Sequence, residues 1–374
     1  MKKIIITGLH STPAFALIDA IRDKKKDWNI IFVGRKYILD GDQGLSFEYK
    51  EAVRKKLKFY NLSTGKLVRN LSLDWFKNIL KVFWGFFNSY KILRKEKPDM
   101  IISFGGYIAF PISILAFFSG IPVFLHEQTK QIGISNRVLS VIAKKIFISF
   151  EDTKKQFPFF VRSKVILSGN PVRAGVLQVR KRPFSFKKNK KVIYITGGSI
   201  GSHSLNLHIF NILTDLLKDY ILIHQLGSVR KYKDFQKAEE LAKKYDKDNQ
   251  YFIREHFSED ELGFVYKNAD LIISRSGANT FFEIIRIKKP AVLVPLPWSA
   301  GKEQLKQARI LKKAGVAEIF NQNKSSKILL ETIKKVFANY NKYKENFAYV
   351  SEKYTQKAEE IILSEIDKSI GGPA

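Results

Sequence analysis

The stretch Asp270–Val294, reading Asp-Leu-Ile-Ile-Ser-Arg-Ser-Gly-Ala-Asn-Thr-Phe-Phe-Glu-Ile-Ile-Arg-Ile-Lys-Lys-Pro-Ala-Val-Leu-Val, holds a strand, a small-residue turn, a helix and a second strand. Leu271–Ser274 is a short apolar run of the kind that forms a buried strand. Ser276, Gly277, Ala278, Asn279 and Thr280 then supply small residues where a ligand needs close backbone approach. The unpaired N–H groups and positive dipole end of the following helix attract an anion. Glu283 sits one turn inside that helix, where a carboxylate can accept two ribose hydroxyls. Two readings stay open on this stretch alone: half of a nucleotide site, or an ordinary βαβ turn with a solvated Glu.

Working outward, the same rhythm recurs. Strand-like runs at Lys3–Thr7, Ile30–Val33, Met100–Ser103, Val123–His126 and Lys145–Ile148 alternate with helical patterns. A second series follows at Lys191–Thr196, Ile221–Gln225, Leu271–Ser274 and Ala291–Val294. Alternation of this kind predicts an α/β fold with parallel sheets. The rhythm breaks around Gly169-Asn170-Pro171 and the basic stretch Arg180–Lys191, so the boundary is expected near residue 165. Domains over 1–165 and 166–345 result, followed by 346–374 as a C-terminal helix and tail, the last helix running over roughly Tyr343–Ile366 and expected to pack back on the body. Two doubly wound halves of this kind hold ligands at the carboxyl ends of their strands, in a central cleft.

Composition narrows the chemistry. With 374 residues, 45% of them hydrophobic, the chain can bury two cores. It has no Cys, which excludes disulfides and thiolate metal sites. Its six His, His10, His126, His203, His208, His224 and His256, lack ligand spacing, so no metal site is expected. Lys and Arg exceed Asp and Glu by 65 to 35, a net +30 that attracts phosphorylated ligands, an anionic bilayer or nucleic acid, or else reflects solvated Lys-rich surfaces. Nucleic acid is the least favoured of these, because no recognition motif accompanies the charge. The apolar start at Ile4-Ile5-Ile6 is too short for a secretory signal and no run has the length of a membrane span, so a cytoplasmic location is expected.

Three further segments carry chemistry. Tyr194-Ile195-Thr196-Gly197-Gly198-Ser199-Ile200-Gly201-Ser202 is a strand ending in a Gly-rich turn before a helix, an arrangement that wraps backbone N–H groups around a diphosphate or merely makes a tight connection. Ser103-Phe104-Gly105-Gly106-Tyr107 repeats the design in the first half, and His126-Glu127-Gln128-Thr129 ends another strand with four polar side chains, a ligand cluster or a structural hub. His10 follows the first strand at the cleft edge, with Pro13 placed to open a helix, and is a candidate base. Leu73–Lys95 behaves differently. Phe76, Ile79, Leu80, Phe83, Phe87 and Tyr90 make one stripe expected to meet the core, while Trp75, Val82, Trp84 and Phe86 lie off it among Lys77, Lys81, Lys91, Arg94 and Lys95. The surplus aromatic surface suits either a second buried contact or the headgroup layer of an anionic membrane, with Trp75, Lys77, Trp84 and Phe86 at the surface.

Taken in order, Phe104-Gly105-Gly106-Tyr107, Gly120-Ile121-Pro122-Val123 leading to His126-Glu127-Gln128, Gly169-Asn170-Pro171-Val172-Arg173, Gly197-Gly198-Ser199 with Asn206, Ser274-Arg275-Ser276-Gly277-Ala278 with Glu283, and Val294-Pro295 before Gln304 resemble the MurG family of peptidoglycan N-acetylglucosaminyltransferases, glycosyltransferase family 28. The resemblance covers most of the chain. It implies a GT-B fold and inverting transfer, without a cofactor, of N-acetylglucosamine from UDP-GlcNAc to the C4 hydroxyl of N-acetylmuramic acid on undecaprenyl diphosphate. It further implies a peripheral protein on the cytoplasmic face of the membrane, with acceptor and membrane binding in the first domain and the donor in the second. Carried onto this chain, Gly197, Gly198, Ser199 and Gly201 contact the diphosphate with Asn206 nearby, Ala278, Asn279 and Thr280 the phosphates, and Glu283 the ribose. Arg173, Gln304 and Gln307 touch other donor groups, Thr129 stands at the sugar-contacting position, and His10 takes the place of the base. Gly8, Gly105, Gly106, Tyr107, His126, Glu127 and Gln128 fall to the acceptor. The chain departs from the family where Thr7-Gly8 runs almost directly into Leu9-His10, where Thr129 and Gln307 stand in place of a common Asn, and at Ile200. The shortened loop leaves open a different lipid acceptor, or a catalytically impaired membrane-binding relative.

Overall fold

A computed structural model of the chain describes residues 2–37, 44–65, 73–354 and 357–370, with side chains described for all of these except 73–79, 230, 300 and 353. It divides into two compact units, Met1–Val172 with Gln356–Ala374, and Arg173–Thr355. In the first unit the order is β1 (Lys3–Thr7), α1 (Ser11–Lys24), β2 (Asn29–Gly34), α2 (Phe47–Arg54), β3 (Lys58–Asn61), α3 (Leu73–Glu96), β4 (Met100–Ser103), α4 (Ala109–Phe118), β5 (Val123–Glu127), α5 (Ile134–Leu139), β6 (Lys145–Ile148) and β7 (Val165–Leu167). In the second it is β8 (Lys191–Thr196), α6 (His203–Asn211), α7 (Leu213–Asp219), β9 (Tyr220–Gln225), α8 (Asp234–Tyr245), β10 (Tyr251–Arg254), α9 (Glu259–Asn268), β11 (Leu271–Ser274), α10 (Ala278–Ile287), β12 (Ala291–Leu293), α11 (Glu303–Lys313), β13 (Ala317–Ile319), α12 (Ser326–Ala338), α13 (Tyr340–Glu345) and α14 (Phe347–Tyr354). The chain then returns to the first unit as α15 (Ala358–Ile370).

Each unit is built on one parallel sheet. The strand orders are β3-β2-β1-β4-β5-β6-β7 and β10-β9-β8-β11-β12-β13. Both start from a central strand, wind outward one way, then resume on its other side, which is the doubly wound Rossmann-like pattern. Continuous apolar strands such as Ile4-Ile5-Ile6 belong here because both faces of a parallel sheet are covered. Ile4 and Ile6 point into a core with Phe15, Leu17, Phe32 and, from α15, Ile362, Leu363 and Ile366. Ile5 points the other way, into a core with Ile31, Val33, Ile101 and Leu125. That split is the two-residue period of a strand. The strand order reverses between β1 and β4 and again between β8 and β11, and these two switch points are where doubly wound sheets hold ligands.

Two helix expectations need correction. The single last helix is three, α13 and α14 in the second unit and α15 in the first, so one amphipathic stripe serves two cores. The α3 stripe expected to face the core is turned outward: Leu80, Phe83, Phe87 and Tyr90 are 62%, 67%, 48% and 49% exposed. The buried side is instead Gly85, Ser89, Ile92 and Leu93, with Phe86 half-buried edge-on to Phe110. Small residues decide the matter. A Cβ on Gly85 would stand 2.3 Å from Thr64 Oγ1, so the helix seats where its backbone can approach most closely. Phe86 therefore leaves the surface group, Trp84, expected there, is 61% exposed, and the side chains of Trp75, Lys77 and the stripe residues Phe76 and Ile79 lie outside the described residues. Among the described residues no helix is long and apolar enough to cross a membrane.

Candidate active site

The switch point of the first unit is lined by side chains that bond to one another. The β1–α1 turn is only Gly8-Leu9-His10, and Leu9 N donates to Gly105 O at 3.0 Å. Gly8 has φ +137°, and a Cβ there would stand 2.8 Å from the carbonyl carbon of Phe104. His10 thus emerges from a turn pinned to the Gly105-Gly106 turn after β4. Its Nδ1 lies 2.6 Å from the Gln128 amide nitrogen, while Gln128 Oε1 is buried with no partner among the described residues. Burial holds the His10 pKa below its ordinary 6.5, and the Glu127 charge pulls the other way. His10 is therefore a neutral imidazole at pH 7.

Glu127 is a structural hub. Its Oε1 accepts from Thr129 N at 3.0 Å and its Oε2 from Gly133 N and the Asn136 amide, both at 3.0 Å. The Thr129 hydroxyl lies 2.5 Å from Glu127 Oε1 and 2.7 Å from Gln131 O, so it too serves the loop after β5. His126 faces inward, its Nε2–H donating to Gly169 O at 3.1 Å. Burial lowers its pKa to about 4, the Gly169 carbonyl opposing and any positive charge on His10 adding to the effect. Tyr107 is half-buried just past the glycine pair.

The switch point of the second unit is built from backbone. After β8 the chain turns through Gly198 at φ +89° and Gly201 at φ +91°. A Cβ on Gly201 would stand 2.2 Å from Leu226 O, and beside Gly198 there is open space. Gln225 braces the turn, its amide nitrogen donating to Gly198 O at 3.0 Å and to Thr196 Oγ1 at 3.1 Å. Ser199 is exposed, its carbonyl accepting from Ser228 N at 3.3 Å. Asn206 has no exposure: its amide nitrogen donates to Asp234 Oδ2 at 2.7 Å and to Leu226 O at 3.1 Å, anchoring the helix behind the turn.

Across the switch point, Gly277 caps α10, so Ala278, Asn279 and Thr280 occupy its first turn. Glu283, one turn further, is buried and bonded. Its Oε1 accepts from Arg173 Nη2 at 2.6 Å and Nε at 3.2 Å, and its Oε2 from Tyr266 OH at 2.8 Å. Burial alone would lower the Arg173 pKa, but Glu283 outweighs it and the guanidinium is held more firmly charged than usual. Burial and the same carboxylate push the Tyr266 hydroxyl well up, so it stays protonated and donates. Gln304 Oε1 accepts from Leu296 N at 3.0 Å, and its carbonyl accepts from Ser276 Oγ at 2.8 Å, tying α11 to the β11–α10 turn. Gln307 is buried, its nitrogen 3.1 Å from Glu303 Oε1.

Sequence reading placed Arg173 and Glu283 as separate contacts; the fold makes them one ion pair across 110 positions. It overlooked Arg275. That guanidinium donates to Val294 O at 3.0 Å and, just past the glycine turn, to Ser202 Oγ at 2.6 Å and Ser204 Oγ at 2.9 Å, all neutral acceptors. Burial lowers its pKa to about 10, so it remains a cation held at the place where a diphosphate is expected. An Arg at a strand's carboxyl end between two Ser was the available signal.

Comparison with known proteins agrees with this geometry. The model of the glycosyltransferase family 28 N-terminal domain matches residues 7–148, and that of its C-terminal domain residues 192–362. A Clostridium kluyveri protein named UDP-N-acetylglucosamine--N-acetylmuramyl-(pentapeptide) pyrophosphoryl-undecaprenol N-acetylglucosamine transferase is 33% identical over 346 residues, 90% of this chain and 91% of that protein. Its Clostridium perfringens namesake is 34% identical over 352 residues, 91% and 92% of the two chains. The crystal structure of Acinetobacter baumannii MurG matches with a TM-score of 0.70 at 24% identity, covering 98% of this chain and 100% of that one, a likeness of fold.

Proposed function

The chain belongs to glycosyltransferase family 28, and we propose that it transfers N-acetylglucosamine from UDP-GlcNAc to the C4 hydroxyl of N-acetylmuramic acid on a polyprenyl diphosphate, with inversion. The observation that carries this is the pairing of two unlike sites in one chain, a neutral His backed by an amide at one switch point and an anion-ready glycine turn beside a buried Arg173–Glu283 pair at the other. The named relatives at 33% and 34% identity support the same donor and acceptor.

The step is a single displacement. The acceptor C4 oxygen bonds to C1 of the sugar, the bond from C1 to the diphosphate oxygen breaks, and the hydroxyl proton passes to His10 Nε2. That nitrogen accepts a proton only if Nδ1 carries one, so the Gln128 amide must present its oxygen to Nδ1. A half-turn of the amide does this and gives the orphaned Oε1 its partner. Departing UDP gathers negative charge, which the N–H groups around Gly198, the first turn of α10 and the Arg275 cation are placed to stabilise. Glu283, already oriented by Arg173 and Tyr266, is the acceptor for ribose hydroxyls. On the outer face of α3, Leu80, Phe83, Trp84 and Phe87, with Lys91 over the Phe87 ring at 4.2 Å, form an aromatic and basic surface suited to the headgroup layer of an anionic membrane. A peripheral position at the membrane follows, since a polyprenyl-linked acceptor stays in the bilayer.

The test is transfer of labelled N-acetylglucosamine from UDP to a lipid I analogue in anionic vesicles, with Glu283→Ala as control. Transfer that this change abolishes is expected. UDP-GlcNAc binding with no transfer would move the assignment to another lipid acceptor or to a non-catalytic relative.

A further inference from the structure

A lipid-linked acceptor brings its own diphosphate, and the β1–α1 turn is poorly equipped to hold it. The turn is three residues long, Leu9 N is committed to Gly105 O, and Pro13 removes one N–H from the first turn of α1. The first unit offers a different site. A cavity of about 350 Å³ sits past the carboxyl ends of β2 and β3, lined by Arg35, Tyr37, Asn61, Ser63, Lys81 and Tyr107 among others. Among the described residues no carboxylate lines it. Glu48, buried behind Arg35, accepts from its Nε at 3.4 Å and fixes the guanidinium in place. Two cations with hydroxyls and an amide are the groups that recognise a diphosphate, Arg through its planar fork and Lys as a point charge.

Position agrees with composition. Tyr107 follows Gly106, and the space beside Gly106 where a Cβ would go is filled by Leu9, the neighbour of His10, at 2.7 Å. Tyr107, which lines the cavity, and His10, the base, thus each follow one partner of that contact. The cavity's other wall is α3, whose Lys81 lines it and whose adjacent Leu80 and Trp84 are exposed. A prenyl chain leaving a diphosphate held there meets an apolar helix face.

We propose that this cavity binds the diphosphate of the acceptor, taking over from the shortened β1–α1 turn. The inference rests on the acceptor assigned above, and its test separates the two. Inorganic pyrophosphate is titrated by calorimetry into the full chain with UDP saturating the donor site, which requires no transfer. Binding is expected, weakened at least about tenfold by Lys81→Ala and by Arg35→Met, as removal of one charge-assisted contact implies. Lys81 is exposed, so its variant keeps the fold even if Arg35→Met does not. In neutral detergent with a short-chain lipid I analogue, Lys81→Ala should raise the acceptor KM by a similar factor and leave the UDP-GlcNAc KM where it was. Pyrophosphate binding that is absent, or indifferent to Lys81→Ala, overturns the cavity whether or not transfer occurs. A Lys81→Ala defect seen in anionic vesicles and lost in detergent also overturns it, and assigns that Lys to the membrane surface. Charge-dependent pyrophosphate binding in a chain that never transfers to the lipid keeps the cavity and sinks the acceptor assignment instead.

Discussion

At the carboxyl ends of β1, β4 and β5 the polar groups are side chains bonded to one another, His10 to Gln128 and Glu127 to the loop after β5, whereas after β8 a glycine turn presents backbone groups, braced by Gln225 and edged by the Arg275 cation. One topology has been finished in two materials. A site of side chains governs where a proton sits, because an imidazole and an amide each have two states. A site of N–H groups governs where negative charge is stabilised, because its dipoles are set by backbone dihedrals and cost no reorganisation when charge arrives. The first should therefore be sensitive to pH and to single polar substitutions, and the second to any added Cβ.

The sharpest way to break this contrast is Gly201→Ala. At φ +91° and 2.2 Å from Leu226 O, the methyl cannot be accommodated without moving the turn. UDP affinity should fall by about a hundredfold or more, in keeping with a cost of several kcal/mol for a forced left-handed residue plus a clash. Calorimetric titration with UDP checks this, and wild-type affinity in the variant would remove the turn from the donor site.

His10→Ala tests the other half. Turnover should drop by roughly 10²- to 10⁴-fold, the range for a lost general base, with UDP affinity nearly unchanged. Because burial holds the His10 pKa below 6.5, the base is still neutral at pH 6.5 and is lost only as pH falls through the lower value. The acid limb of kcat/KM should lie below pH 6.5 and disappear in the variant. A limb at or above 6.5, or loss of UDP binding in the variant, contradicts the division of labour.

The smallest effect is expected from Trp84→Ser on the exposed face of α3. Partition onto anionic vesicles, followed by sedimentation, should weaken by about tenfold, the equivalent of one aromatic side chain removed from an apolar layer. An unchanged partition would place the membrane contact elsewhere.

How much was legible follows from where each residue lies. Among the described residues, all nine strands read from apolar runs are interior strands, and the four that were not, β3, β7, β10 and β13, are the sheet edges. Edge strands are half solvated, so Lys58-Phe59-Tyr60-Asn61 is bounded by polar residues, while β7 and β10 carry only the three-residue apolar runs Val165-Ile166-Leu167 and Tyr251-Phe252-Ile253. The glycine turns were visible because a strand ending in glycines has few other meanings. The stripe on α3 was visible too, but which side of the helix meets the protein was not. Gly85 carries little hydrophobic signal, yet it allows the close approach to Thr64 that sets the helix orientation.

Sequence by itself determined the α/β class, the interior strands, the two glycine turns and the excess of positive charge. These depend on residue type and on periods of two or 3.6 residues, which act locally along the chain. Tertiary structure alone decided that Glu283 is bonded to Arg173, that Gln128 reaches His10 across 118 positions, that Asn206 faces inward and that the α3 stripe faces out. The physical reason is that a hydrogen bond, an ion pair or a buried face has a free energy only once its partner is beside it, and these partners are brought together by the sheets rather than by neighbouring sequence.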